Sequence, residues 1–261
     1  DITPVTVTVK RSEAAEVENG YQATIKVPLS GLSVAKVIGM DVVVTNGDKT
    51  AAFNDLTGKQ GTSSKYYAKV TMKPGVEKAA YGTVTVDGDK DAVWDNAGTI
   101  PITINLGSNV SANAKLLWDK DNFYVYAEIK DPVLNNTNGD AWEQDSLEVF
   151  IDENNGKSNS YEDDDKQYRI SYVNDHSFNG KKCLEENMKS VAKITSDGYV
   201  VEASFKWTDI TPKAGDEIGL EFQINDADAS GKRIGTLSWN DETGMGWSKP
   251  EVFGTVKLGE I

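Results

Sequence analysis

Apolar and polar residues alternate with a period of two along most of this chain. The pattern runs through residues 5–9, 22–27, 84–86, 123–129, 146–151, 168–172, 200–205 and 218–224. Each run is short and rich in Val, Ile, Tyr and Phe. The runs are separated by turn-forming clusters such as Asp87-Gly88, Asn154-Asn155-Gly156, Asn179-Gly180 and Asp197-Gly198. Alternation bounded by such clusters predicts many short antiparallel strands, hence an all-β chain folded as an antiparallel β-sandwich. No long amphipathic helix is evident. Residues 184–191 are expected to form one or two helical turns.

Self-comparison reveals a repeat. GYQATIKVPL (20–29) aligns with GYVVEASFKW (198–207), and IGMD (38–41) with IGLE (218–221). FND (53–55) then aligns with WND (239–241), and KVTM (69–72) with TVKL (255–258). Residues 1–75 therefore read as the second half of a preceding sandwich repeat, and residues 76–261 as one complete unit. Pro and Gly at Lys73-Pro74-Gly75 mark the boundary. A half-sandwich would leave its inner face uncovered, so the chain is expected to be a piece of a larger modular protein.

The formal charge of −14 argues against nucleic acid or anionic membrane as partner. No apolar run is long enough to span a bilayer. With 1 Cys, the chain can form no internal disulfide, and 1 His excludes a multi-His metal centre. A cysteine-poor, acidic chain rich in Asn, Asp and Gly suits a secreted bacterial protein. His176 reads as a surface-loop residue and Cys183 as an unreactive thiol.

Candidate chemistry concentrates in two stretches. In residues 146–150 the alternation puts Leu147 and Val149 on one face and Glu148 on the other; Arg169 is likewise opposite Tyr168 and Ile170. With apolar residues inward, Glu148 and Arg169 share the outer face, beside Trp142. An aromatic ring stacks on the apolar face of a pyranose, and planar charged groups make paired hydrogen bonds to its hydroxyls. The same residues also suit a surface ion pair beside a structural Trp. In the second stretch Gln223 and Asn225 alternate with apolar neighbours. Trp247 follows in a loop of Gly and Ser. Trp94, Trp118, Trp207 and Trp239 have apolar or strand-like surroundings and read as core or edge packing.

These residues carry a resemblance. Asp87-Gly88, Asp91 and Trp94, the WEQDSLEVFIDENN stretch, EDDD before Gln-Tyr-Arg, Asn225-Asp226-Ala227, and SWND followed by GW and FGTVKL resemble family 9 carbohydrate-binding modules. These are β-sandwich modules appended to xylanases and related secreted glycoside hydrolases. Residues 1–75 resemble the C-terminal part of a preceding module of that family.

The resemblance implies a non-catalytic module that binds the reducing ends of β-1,4 glucans and xylans between two Trp rings. Its partners would be polysaccharide chain ends, small oligosaccharides and a tethered catalytic domain. The clamp positions match Trp142 and Trp247, and the hydrogen-bonding positions Glu148, Arg169 and Gln223. Asn225 shares Gln223's face. A family Asn before the second clamp Trp has no counterpart in Thr243-Gly244-Met245-Gly246. In the first copy Gln223, Asn225 and Trp247 fall on Val43, Thr45 and Gly61, so residues 1–75 are expected to bind no sugar. The resemblance also implies structural calcium. Asp87, Asp89 and Asp91 are the first candidates by their alternate spacing; Asp152, Asp163, Asp164, Asp165, Asp226 and Asp228 are others.

Two other readings remain. A sandwich domain for protein or cell-surface attachment would use the same two Trp as anchors. A glycoside hydrolase would need two carboxyls about 5–5.5 Å apart, with Glu148 beside Glu143 or Asp145. An ion pair between Glu148 and Arg169 would lower that carboxyl's pKa and spoil it as a general acid.

Overall fold

A computed structural model describes residues 14–17, 20–23, 37–46, 48–71 and 76–261. The chain divides into two compact units, Asp1–Lys73 and Pro74–Ile261. The strand expected at residues 5–9 and the latter part of that at 22–27 lie outside the described residues.

Among the described residues, the first unit contains three antiparallel strand pairs. They are β1 (Ala14–Val17) with β2 (Gly20–Ala23), β3 (Val37–Met40) with β6 (Ala68–Thr71), and β4 (Val43–Asn46) with β5 (Lys49–Ala52). Val43, Val44, Phe53 and Leu56 are exposed. Isolated strand pairs have too little area to bury such side chains.

The second unit is a 13-stranded sheet folded over on itself. Its strands are β7 (Val76–Tyr81), β8 (Ile100–Ile102), β9 (Ile104–Leu106), β10 (Ser111–Trp118), β11 (Asn122–Lys130), β12 (Ser146–Asp152), β13 (Asp165–Ser171), β14 (His176–Asn179), β15 (Met188–Ile194), β16 (Gly198–Lys206), β17 (Glu217–Ala227), β18 (Arg233–Ser238) and β19 (Gly254–Leu258). One layer runs β14-β13-β12-β17, with β18 and β19 both on β17. The other runs β10-β11-β16-β15. β7 joins them, pairing in parallel with β19 and with β10.

Period-two patterning explains the sandwich. Leu147, Val149 and Ile151 of β12 and Leu220, Phe222 and Ile224 of β17 point into one core. There they meet Leu116 of β10, Val125 of β11 and Val201 of β16. Pairing β12 with β13 and with β17 puts Glu148 opposite Arg169 on one side and Gln223 on the other.

The outer faces of the two layers are treated differently. Over β10 and β11 a second apolar cluster forms, in which Val86, Trp94 and Ala97 pack on Leu117, Tyr124 and Tyr126. Residues 84–86 are therefore an extended segment outside any strand, which covers the sheet. Glu202 fastens it, accepting hydrogen bonds from Trp94 Nε1 and from the backbone N–H groups of Asp87 and Gly88. On the outer face of the β12–β13–β17 layer Phe253 covers Phe150, and the remainder of that face carries the cleft.

Two local expectations are corrected. Residues 184–191 form a 3₁₀ turn at Glu185–Asn187 and then enter β15, which pairs antiparallel along β16 from Met188 onward. His176 belongs to β14 rather than a loop, with its ring between Glu185 and Ser190. Trp94 and Trp118 are fully buried; Trp207 and Trp239 are partly buried and pack on the core. Cys183 is buried, and burial pushes its thiol up to about 12.

Candidate functional site: a two-tryptophan cleft on the open sheet face

A cleft of about 530 Å³ lies on the outer face of the β12–β13–β17 layer. Its lining includes Trp142, Trp247, Glu148, Arg169 and Gln223, five of the six residues expected from sequence. Trp142 and Trp247 are 53% and 55% exposed, whereas the other four Trp of this unit are buried or partly buried. Glu148, Arg169 and Gln223 are nearly buried. The cleft thus has a polar floor and two exposed indoles.

Each indole stands on a loop whose backbone is tied down. Trp142 lies in the 3₁₀ turn Ala141–Glu143. The Glu143 carboxylate accepts from the Arg233 backbone N–H, and Gln144 Nε2 donates to the Asn138 carbonyl. On the other loop, Asp241 accepts from the N–H groups of Thr243 and Gly246. Tyr161 donates its hydroxyl to the Gly246 carbonyl at 3.0 Å. Asn179 Nδ2 donates to the Trp247 carbonyl.

The floor is a hydrogen-bonded network. The Glu148 carboxylate accepts from Asn225 Nδ2 at 2.9 Å, from Gln167 Nε2 at 2.9 Å and from Gln223 Nε2 at 3.4 Å. Burial raises its pKa, against those donors and the nearby Arg169 and Arg233. The expected Glu148–Arg169 ion pair is absent among the described residues. Arg169 Nη2 donates to Gln144 Oε1, and its buried Nε has no partner. The expectation of a lowered Glu148 pKa is therefore reversed, since desolvation of a wholly buried carboxyl outweighs the attraction. Glu148 is nevertheless the only carboxylate lining the cleft among the described residues. A two-carboxylate hydrolytic pair has no second member there.

Asn225 is corrected in position. It is fully buried and does not line the cleft. Its two N–H bonds go to Ser146 Oγ and Glu148 Oε1, and its carbonyl accepts from Gln223 and Arg233. An amide with all four positions taken has no capacity left for a ligand, so Asn225 braces the floor from beneath.

Sequence reasoning missed Gln167, Asn179 and Arg233, which also line the cleft. Gln167 was within reach: it lies two positions before Arg169, hence on the same strand face. Asn179 and Arg233 enter from neighbouring strands, and no short-range pattern marks them.

The acidic residues assemble differently from the first expectation. Asp87, Asp89 and Asp91 do not converge. The Asp87-Gly88 turn is gripped by Glu202, Gly88 sits at φ 82°, and Asp89 faces outward to Lys193. Two buried trios form elsewhere, Asp131–Asp145–Asp226 and Asp152–Asp164–Asp165, with one oxygen from each residue within 4.8 Å of the others. In the first trio burial raises Asp131 to about 6 and Asp145 to about 7. Asp131 Oδ2 is buried without a hydrogen-bond partner, and no ion pair neutralises the trio among the described residues. An all-oxygen set with an orphaned carboxylate oxygen fits a hard divalent cation such as calcium.

Residues 86–261 match the family described as carbohydrate family 9 binding domain-like. The chain is 39% identical over 243 residues to an endo-1,4-β-xylanase A of Thermotoga neapolitana, covering 91% of this chain and 23% of the relative. It is 38% identical to an exoglucanase of Acetivibrio thermocellus, covering 92% of this chain and again 23% of the relative. The chain therefore spans about a quarter of the length of these curated relatives. A family 9 carbohydrate-binding module of Caldicellulosiruptor kristjanssonii, solved with cellotriose, superposes with a TM-score of 0.69 at 36% identity, covering 72% of this chain and 95% of that one. A family 9 module of the same organism has been solved with glucose, at a TM-score of 0.68 and 36% identity, covering 72% of this chain and 97% of that one.

The all-β fold is thus shared with carbohydrate-binding modules of known structure. This chain belongs to carbohydrate-binding module family 9. Its second unit is a non-catalytic carbohydrate-binding domain.

Proposed function

We propose that the second unit clamps the terminal sugar of a β-1,4-linked glucan or xylan between Trp142 and Trp247. The observation that carries this reading is the pair of exposed indoles on one polar-floored cleft. Each ring offers a stacking face worth on the order of 1 kcal/mol beyond area burial. Arg169 supplies a guanidinium whose Nε is unpartnered, and Glu148 and Gln223 supply further polar groups. Rings on both faces of one sugar leave a polymer free to continue in one direction only, which favours recognition of an end, here the reducing end. The C. kristjanssonii modules solved with cellotriose and with glucose support this ligand class.

Calcium fits the Asp131–Asp145–Asp226 trio and, by the same oxygen chemistry, Asp152–Asp164–Asp165. There it would offset the mutual repulsion of buried carboxylates. The first unit, with Val43, Thr45 and Gly61 at the positions of Gln223, Asn225 and Trp247, binds no sugar and represents the second half of a preceding module. The likeness to xylanases supports a module of a secreted hydrolase, which would raise the effective concentration of a tethered catalytic domain on its substrate.

Calorimetric titration with cellobiose tests the reading. Saturable 1:1 binding that is lost when either Trp142 or Trp247 is replaced by Ala is expected. Undiminished binding by both variants would contradict it.

A further inference from the structure

The trio Asp131–Asp145–Asp226 lies at the base of the loop that carries Trp142. Asp131 directly follows β11 and Asp145 directly precedes β12, so the two residues bracket the connection. Asp145 closes it. Its Oδ2 accepts the Asn135 N–H at 2.6 Å, and its own N–H donates to the Asn135 carbonyl at 3.0 Å. Its Oδ1 accepts the Ala227 N–H at 2.6 Å, fixing the loop to β17. The Asn135 side chain then donates to the Asp228 and Ala229 carbonyls. The residue after Trp142-Glu143 is Gln144, which holds Arg169.

The second clamp loop is built without this trio. Trp247 depends on Asp241 and on Tyr161. A change at Asp131, Asp145 or Asp226 therefore reaches one side of the clamp only.

Three buried carboxylates without a countercharge repel one another. A cation among them draws Asp145 toward Asp131 and Asp226, and with it Asn135 and the start and end of the loop. From this geometry we infer that a divalent cation held by Asp131, Asp145 and Asp226 positions Trp142, so that cation binding and sugar binding are coupled. The inference rests on the sugar-clamp reading for its functional consequence. The positioning itself does not.

Coupling of two equilibria is reciprocal. Whatever factor calcium adds to cellobiose affinity, cellobiose must add to calcium affinity. A trio that only stabilises the fold would show no such reciprocity.

The test compares the full chain with Asp131→Asn, in excess calcium and in chelator. Asn retains an oxygen to accept the Val133 N–H that Asp131 Oδ1 now accepts, while removing one charge from the trio. Hydrogen exchange of backbone amides in residues 134–144 is read against residues 240–248. Calcium is expected to slow exchange at residues 134–144 at least fivefold in the parent chain and not in Asp131→Asn. The response of residues 240–248 should be the same in both. Cellobiose affinity should fall severalfold on chelation in the parent and change little on chelation in the variant. Calcium affinity, measured by competition with terbium so that the sites stay filled, should rise by the matching factor when cellobiose saturates.

An equal calcium response of residues 134–144 in parent and variant would overturn the inference. So would cellobiose affinity indifferent to calcium in the parent. Should the chelated chain unfold, the terbium competition decides alone, and calcium affinity unchanged by cellobiose overturns the coupling. Failure of the calcium-loaded parent to bind cellobiose would sink the clamp reading instead, and the exchange measurement would still judge the positioning of the loop.

Discussion

Glu148 and Arg169 face one another directly across β12 and β13, both almost wholly buried, yet they form no ion pair. Each is held by amides instead: Glu148 by Asn225 and Gln167, Arg169 by Gln144. This arrangement leaves the Arg169 Nε unpartnered at the cleft. A mutual ion pair would have engaged both groups with each other. Amide support orients them instead along the floor of the cleft.

Arg169→Lys should therefore be far from conservative. A lysine ammonium lacks the planar fork that fits neighbouring hydroxyls, and it loses the fixed contact with Gln144. Cellobiose affinity is expected to fall about tenfold, or about 1.4 kcal/mol. Calorimetric titration checks this, and affinity equal to the parent's would show that Arg169 does not touch the sugar.

Trp142→Ala and Trp247→Ala should each weaken binding by at least tenfold, since small sites concentrate affinity in a few anchors. Neither should shift Tm appreciably, because both side chains are more than half exposed. Calorimetry and thermal unfolding on the same samples separate the two effects. A large fall in Tm would mean that these rings serve the fold.

Asn225→Ala should behave in the opposite way. It removes four hydrogen bonds from a fully buried amide and costs Ser146, Glu148, Gln223 and Arg233 one partner each. Loss of about 2–3 kcal/mol of stability is expected. Affinity should fall as well, through disorder of the floor. Denaturant unfolding reads the first effect and titration the second. Lost affinity with unchanged stability would restore Asn225 to the role of a direct contact.

Glu221 gives a pH signature. Burial raises it from the ordinary 4.5 to about 8, against the N–H donors of Asn240, Trp239 and Phe222. Between those two values the folded state holds a proton that the unfolded state has released. The stability associated with this group is therefore present at low pH and lost as pH rises through about 8. Glu221→Gln removes that dependence. The stability difference, variant minus parent, should grow between pH 5 and pH 8.5 in denaturant titrations, and a flat difference would contradict the raised value.

Much of this was legible in the sequence. The alternation of residues 146–151 and 218–224 placed Leu147 and Ile224 inward and Glu148 and Gln223 outward, and the structure agrees. Trp247, set among Gly and Ser with no apolar neighbour, announced an exposed ring. The opposed Glu148 and Arg169 were read as an ion pair because strand register specifies who faces whom, but not which side-chain atoms meet. Asn225 was placed on the right face and at the wrong depth. Its burial depends on Arg233 arriving from β18, and the alternation of β17 alone contains no trace of that. The calcium candidates at Asp87, Asp89 and Asp91 had attractive local spacing. Two trios converge instead: Asp152, Asp164 and Asp165 were among the further candidates, whereas Asp131, Asp145 and Asp226 lie on three separate segments brought together only by the fold.

The central claim is an end-specific clamp between Trp142 and Trp247. Titration with cellobiose, and in parallel with the alditol made by reducing its terminal sugar, tests it most directly. Binding of cellobiose with at least a tenfold loss for the alditol is the predicted result. Equal affinity for the two would contradict the account, because the opened end would then be no part of what the cleft recognises.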